Sequence, residues 1–267
     1  MKTDLLHSIR LARLSLTQLG RNQTALFTVV LMPFLLVVMY IGLGRDRAMD
    51  ISGVPATLFV LTGMPGMLLG FAVFINLVNS LTARREELLL KRLRSKVSPV
   101  GILGGTALGA LIVFLGQIAF LVVWTVQGED GPLPANLPLW LIAAVLGTAV
   151  FALLAIAYTG ITPNTELAQI TVLPPLLIIM MATPFYVPTS AMPPVLATVS
   201  KVMPTTPVVE IMRTAYLGRD FVGGEGEPLG FAEQWVAALP SFGVLLAWGV
   251  VAVLLAHRLF RWEPRRG

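Results

Sequence analysis

The sequence predicts an all-α polytopic membrane protein: six transmembrane helices, an interfacial amphipathic helix before the first, and re-entrant or short helices before the last. Three observations carry this prediction. Six long apolar segments have no charged residue in their interiors, and a helix of roughly 20 apolar residues crosses the hydrocarbon layer while satisfying its own backbone hydrogen bonds. Only 12% of the 267 residues are charged while 56% are hydrophobic, whereas a typical soluble domain is about a quarter charged. The basic residues gather at the ends of the apolar segments rather than within them.

The first element is the amphipathic helix. Leu5, Ile9, Ala12, Leu16 and Leu19 recur at spacings of four and three, while His7, Arg10, Thr17 and Arg21 take the other face and Leu14 is out of place. Such a helix lies in the membrane interface or packs on the loops of its own side, and its nearness to the first span favours the interface. More than twenty polar-interrupted residues precede the first apolar run, which is not the pattern of a cleaved signal peptide.

The spans are expected at Ala25–Leu43, Ala56–Leu81, Gly101–Val126, Leu137–Ile161, Leu167–Tyr186 and Val236–His257. Six spans place both termini on one side. Of the Lys and Arg residues, fourteen fall on the side of the termini and five on the other, with six of the fourteen (Arg84, Arg85, Lys91, Arg92, Arg94 and Lys96) between spans 2 and 3. The positive-inside rule therefore puts both termini and the 2–3 loop in the cytoplasm, and a bacterial plasma membrane is the expected location. Pro33, Pro65, Pro174, Pro175 and Pro184 lie inside or near span ends, where each frees backbone groups and predicts kinked or broken helices. The spacings Gly66 to Gly70 and Gly105 to Gly109 allow close helix approach, within the chain or between chains.

Two connections stand out. After span 2 the chain reads ARREELLLKRLRSKVSP, from Ala83 to Pro99, with Glu87 and Lys91 spaced for a helical ion pair and Leu89, Leu90 and Leu93 forming an apolar strip. A short charged helix is expected there, suited either to orientation alone or to docking in a partner's groove. Between spans 5 and 6, Val187–Trp235 is too long for an ordinary connection. Its first half alternates prolines with apolar runs too short to span, which predicts re-entrant or interfacial helices. Its second half, RDFVGGEGEPLGF, reads as a mobile loop.

Composition excludes several functions. With no cysteine there is no thiol chemistry, and His7 and His257 near opposite ends form no metal or acid–base cluster. Mid-membrane Asp, Glu, Lys and Arg are missing, which argues against a proton-driven antiporter and an intramembrane enzyme. The polar residues inside spans are Asn76, Asn79, Gln117 and Gln169, which either line a pathway or, as amides in membranes more often do, bond to a neighbouring helix. There is no GxxxxGK[ST] phosphate loop, so an ATPase would be a separate polypeptide. The +5 charge and pI near 10 come from span-flanking residues that meet lipid head groups, so membrane lipids are implied as partners and nucleic acid is not.

The interfacial helix, the RREELLLKRLRSKVSP stretch and MPTTPVVEIMRTAYLG from Met203 to Gly218 together resemble the permeases of type-2 ATP-binding-cassette (ABC) exporters, the group for drugs, polysaccharides and lipids. The resemblance runs over essentially the whole chain, as a single transmembrane domain of residues 1–267 with the interfacial helix in 1–24, a coupling helix in 83–99 and an exterior segment in 187–235. It implies a dimer of six-span subunits, from two copies or a copy and a paralogue. Two separate ATP-binding subunits would dock below, holding the ATP and Mg, so this chain needs no cofactor of its own. Arg84, Glu87, Leu90, Leu93 and Arg94 would be the docking residues. Pro204, Pro207, Glu210 and Arg213, within a cap formed by Pro193–Leu217, would be the exterior gate, with Glu210 and Arg213 on one helical face, pairing with each other or with the partner subunit. The exterior portion is short and no aromatic pattern matches the carbohydrate exporters, so small amphiphilic drugs, metabolites or lipids are the implied substrates. A non-transporting assembly or immunity factor of the same fold is the alternative.

Overall fold

The structure, a computed structural model, describes residues 2–44, 50–51, 53–88, 97–224 and 226–262. The interfacial helix is Lys2–Arg21. Asn22 then accepts from the Ala25 amide at 3.0 Å and caps the next helix, and the chain turns through 95° into span 1. Span 1 runs as Gln23–Leu26, a π-helical Phe27–Leu31 and Met32–Gly44. Span 2 is one helix from Ala56 to Glu86 with a π segment at Leu69–Ile75. Spans 3, 4 and 6 are Pro99–Gly128, Leu137–Thr159 and Leu239–Leu259. Span 5 is Thr165–Ala182, interrupted at Val172 just before Pro174 and Pro175, where the expected proline break falls. Among the described residues, five helices are long and apolar enough to cross a membrane, and six if the bent pair at the amino terminus is counted as one span.

Local sequence sets these boundaries. Ser98, Asn136 and Asn164 each accept a backbone N–H in the first turn of spans 3, 4 and 5, the usual remedy for the orphan donors of a helix start. Pro99 and Pro138 sit in first turns, where no N–H is required. Span 2 extends five residues beyond the expected Leu81, because Arg84, Arg85 and Glu86 are held by other elements. It ends where Leu88 adopts a positive φ of 56°. The expected charged helix therefore begins as a continuation of span 2, and residues 89–96, which include Leu90, Leu93 and Arg94, lie outside the described residues.

Span 2 is the axis of the fold. Every residue from Phe59 to Ile75 is buried, while span 6 packs mainly on span 4 and turns Leu246, Val250, Val253 and Leu254 outward. The interfacial helix packs along span 3 through Leu11, Ala12 and Leu19. Its buried face is thus rotated from the predicted stripe, since Ile9 is exposed and Leu11 is covered. Gly105 and Gly109 make that contact possible, a β-carbon on Gly105 standing 2.8 Å from the Ser8 carbonyl oxygen. Both glycine pairs are used within the chain: Gly66 is crossed by Val209 and the Phe185 ring, and Gly70 by Leu176.

The segment between spans 5 and 6 is a series of short helices, Thr189–Ala191, Pro194–Val202 and Thr205–Leu217, followed by Phe231–Ala237. Thr205–Leu217, in the segment expected to hold re-entrant or interfacial helices, is packed between the first half of span 2 and span 4 and buried over most of its length. It stops at Gly218 in the left-handed conformation (φ 66°), whose N–H returns to the Thr214 carbonyl at 2.9 Å. The loop after it, expected to be mobile, is instead a hydrogen-bonded turn. Arg219 bridges to Pro228, the Asp220 and Glu227 backbones pair, and the Asp220 carboxylate accepts from the Val222 and Gly223 amides. Asp220 does for this loop what the glycine content alone does not suggest. On the same side, Asp50–Ile51 and Val54–Pro55 form a small antiparallel hairpin that hydropathy does not reveal.

Candidate functional site

A cavity of about 620 Å³ opens between the interfacial helix and spans 1, 2, 3 and 5, toward the side that carries the basic 2–3 loop. Its rim is polar, from Gln18, Asn22, Asn76, Asn79, Ser80 and Gln169, and its wall is apolar, from Val29, Met32, Phe71, Ile75, Leu173 and Leu176. Three of the four predicted pathway amides are therefore at one site. Asn76 Nδ2 donates to the Ala72 carbonyl at 3.1 Å, while Asn79 Oδ1 has no partner among the described residues.

Gln117 is not at this site. It is buried in span 3, and its Nε2 donates to the Val29 carbonyl of span 1 at 2.8 Å. Pro33 has no N–H to return to the carbonyl four residues back, which is that of Val29. The Gln117 amide supplies a donor to that carbonyl and so bonds span 3 to span 1.

Three consecutive residues at the end of span 2 reach three different elements. Arg84 Nη2 donates to Ser15 Oγ and Gln18 Oε1 of the interfacial helix, each at 2.9 Å. Arg85 donates to the carbonyls of Thr159, Thr162 and Pro163 at the end of span 4, where a cation meets the negative end of a helix dipole and its orphan acceptors. Glu86 accepts from the Thr165 amide at 3.1 Å and from its hydroxyl, at the start of span 5. Arg84 is only 3% exposed and so does not belong to a docking surface, whereas Glu87 is exposed. The sequence marks all three as charged residues flanking a span. What it does not mark is that consecutive positions, about 100° apart around a helix, point to three neighbours.

At the other end, Arg213 of the helix Thr205–Leu217 is 2% exposed and donates through Nη2 to the carbonyls of Phe59, Pro184 and Phe185 at 3.2, 2.8 and 3.2 Å. Its guanidinium also lies over the Phe59 ring, 3.7 Å from the centroid. Gly63 leaves room for this, because a β-carbon there would collide with Arg213 Nη2 and stand 2.7 Å from the Phe185 carbonyl oxygen. Glu210 turns elsewhere and accepts from Ser241 Oγ of span 6 at 2.6 Å. The expected Glu210–Arg213 pairing is thus replaced by separate ties to spans 2 and 6. Pro204 and Pro207 are buried at the start of the same helix. Asn136, which hydropathy and spacing do not single out, is fully buried nearby and joins span 4 to the Phe231 carbonyl at 3.2 Å. Its place immediately before an apolar run is the available signal.

A family model described as "ABC-2 family transporter protein" matches residues 52–258. The match begins before span 2 and ends within span 6, and so includes the clamp residues and the helix Thr205–Leu217. No curated protein matches the chain.

Proposed function

We propose that this chain, which belongs to the ABC-2 transporter family, is the permease of an ATP-driven exporter for small amphiphilic compounds, drugs or lipids, with ATP hydrolysed by a separate subunit docked on its basic side. Membership in the family makes the chain a membrane component of an ABC transporter, and the family in general works with an ATP-binding subunit. The observation that carries the finer reading is the clamp at Arg84–Glu86. One rigid helix end is bonded to the interfacial helix, to span 4 and to span 5, and the interfacial helix and span 5 are walls of the cavity. A push on this helix end is thereby passed through hydrogen bonds to elements that wall the cavity.

In this reading the loop after Glu86 lies in the cytoplasm, by the positive-inside rule. Glu87, Leu90, Leu93 and Arg94 meet the ATPase, the two leucines entering its groove and the charges surrounding them. The cavity, with Asn76, Asn79 and Gln169 on its rim, is the inward part of the pathway. The re-entrant helix, anchored by Arg213 and Glu210 and entered through Pro204 and Pro207, closes the exterior end. A second permease, a copy or a paralogue, completes the pore.

The test is Leu90→Asp with Leu93→Asp in a strain or vesicle system containing the ATP-binding subunit. The double variant is expected to insert normally, since spans and orienting charges are unchanged, and to lose both retention of the ATPase and export. Wild-type retention and export would remove the loop from coupling.

A further inference from the structure

Building on the reading of the cavity as part of the pathway, we propose that it selects amphiphiles with an anionic head, a phosphate or a carboxylate, and that Arg84 is the determinant. Among the described residues, the charged ones lining the cavity are Arg21, Arg84 and Glu87, an excess of positive charge on an otherwise amide, hydroxyl and hydrocarbon surface. Glu87 acts electrostatically on Arg84, but it is exposed to solvent, where its charge is partly screened. Arg84 is covered, and a charge in low dielectric acts across a cavity far more strongly than one in water.

All three buried arginines described above leave Nε without a hydrogen-bond partner among the described residues, but Arg84 alone also leaves a buried Nη1 without one. Arg85 and Arg213 each give their donors to three backbone carbonyls. Arg84 has two neutral side-chain acceptors, both on Nη2, while Nε and Nη1 are buried without a hydrogen-bond partner among the described residues. Burying a guanidinium with three of its five N–H donors idle and no carboxylate hydrogen-bonded to it is unfavourable unless something supplies the missing partner. Its idle N–H groups are the kind of donor that the oxygens of a carboxylate or phosphate accept. A head group drawn into the cavity meets the positive charge of Arg84, one of the lining residues, and its tail lies along Val29, Met32, Phe71, Ile75 and Leu176. A cationic head finds the reverse: like charge, and Phe71 as the sole aromatic lining residue among those described, which is no cage for an ammonium group.

The experiment uses the purified full chain in phosphatidylcholine nanodiscs, with Gln169→Cys as the single thiol on the cavity rim. Protection of that thiol from a maleimide is titrated with dodecyl phosphate, dodecanol and dodecyltrimethylammonium. Dodecyl phosphate is expected to protect at a concentration about tenfold or more below the ammonium compound. The Arg84→Gln variant should bring the two together, while Glu87→Gln should keep or widen the gap. Equal or better protection by the cation in the arginine-bearing chain overturns the proposal, and this arm does not depend on whether Arg84→Gln folds. Repeating the titration in phosphatidylglycerol nanodiscs identifies the source of the anion. Loss of dodecyl phosphate protection there means that bilayer lipid fills the seat, and unchanged protection means a free amphiphile does; either supports the anionic chemistry. No ATPase is needed for this binding. If head-group selectivity holds but maleimide modification of the Gln169→Cys variant leaves export by the full complex intact, the site stands and the pathway reading falls.

Discussion

Gln117 offers a quantitative test of how this fold tolerates a proline within an apolar span. Gln117→Leu keeps the side-chain volume roughly constant but leaves the Val29 carbonyl without the donor that replaces the N–H missing at Pro33. An orphaned buried carbonyl costs about 1–3 kcal/mol. Against this, Gln117 Oε1 is buried without a partner among the described residues, and removing it returns part of that amount. Interhelical hydrogen bonds in membranes average about 0.6 kcal/mol and reach about 1.7, so a net loss near ~1 kcal/mol is expected. The decisive measurement is a double-mutant cycle with Pro33→Ala, which restores an N–H that can reach Val29. In that background Gln117→Leu should cost less than ~0.3 kcal/mol, a coupling of about 1 kcal/mol between residues 33 and 117. Unfolding midpoints of the purified chain in mixed micelles titrated with dodecyl sulfate give all four corners. Additive effects would refute the assignment of Gln117 to the proline kink and return it to the pathway candidates.

Two further outcomes are expected. Gly63→Val should destabilise the chain by about 1–3 kcal/mol or more through overpacking against Arg213 and Phe185, while Gly104→Ala, with nothing within 4 Å of the added carbon, should leave the same unfolding midpoint unchanged; equal behaviour of the two would mean that the helix Thr205–Leu217 does not rest on Gly63. Because the chain has no cysteine, single cysteines at Gly131 and Gly223 should react with an impermeant reagent from outside intact cells, and cysteines at Ser95 and Arg265 only after permeabilisation; the opposite pattern would reverse the orientation inferred from basic residues.

The parts of this fold that follow from repetition along the chain are legible in the sequence. Hydropathy locates the six crossings, and the 3.6-residue period finds the interfacial helix, because both depend on neighbours in sequence. The rotation of that helix is not legible. Ile9 and Leu11 are equally apolar, and only the presence of Gly105 and Gly109 on a distant span decides which one is covered. Gln117 shows the same limit from the other side. Pro33 reads as freeing a carbonyl and Gln117 as needing a partner, yet nothing periodic connects positions 88 residues apart, Val29 and Gln117. At the end of the molecule away from the 2–3 loop, Glu210 and Arg213 read as a pair because helical spacing puts them on one face. Burial decides otherwise, since carbonyls freed at Pro184 and Phe185, where span 5 has ended, are at hand for the guanidinium.

Under the proposed function, span 2 is the element that joins the two ends of the molecule. At 31 residues it is about 46 Å long, enough to cross the hydrocarbon layer with a turn or more to spare at each side. Its Phe59 carbonyl and Gly63 hold the helix Thr205–Leu217 through Arg213, and its last turn holds the interfacial helix and spans 4 and 5 through Arg84, Arg85 and Glu86. Between these ends the helix widens into the π segment Leu69–Ile75, beside the π segment Phe27–Leu31 of span 1. Phe71, Ile75 and Val29 from these segments form part of the cavity wall. A π turn carries one more residue than an α turn and can be absorbed or moved along the helix by small backbone shifts. Rotation of the clamped end of span 2 therefore has two places to go: into the walls of the cavity through the π segments, or undiminished to Gly63 and the Arg213 anchor. The buried run from Phe59 to Ile75 links the π segment to the Arg213 anchor, so under the proposed function a ligand held against the π segments from inside the cavity is expected to restrain the helix Thr205–Leu217 as well.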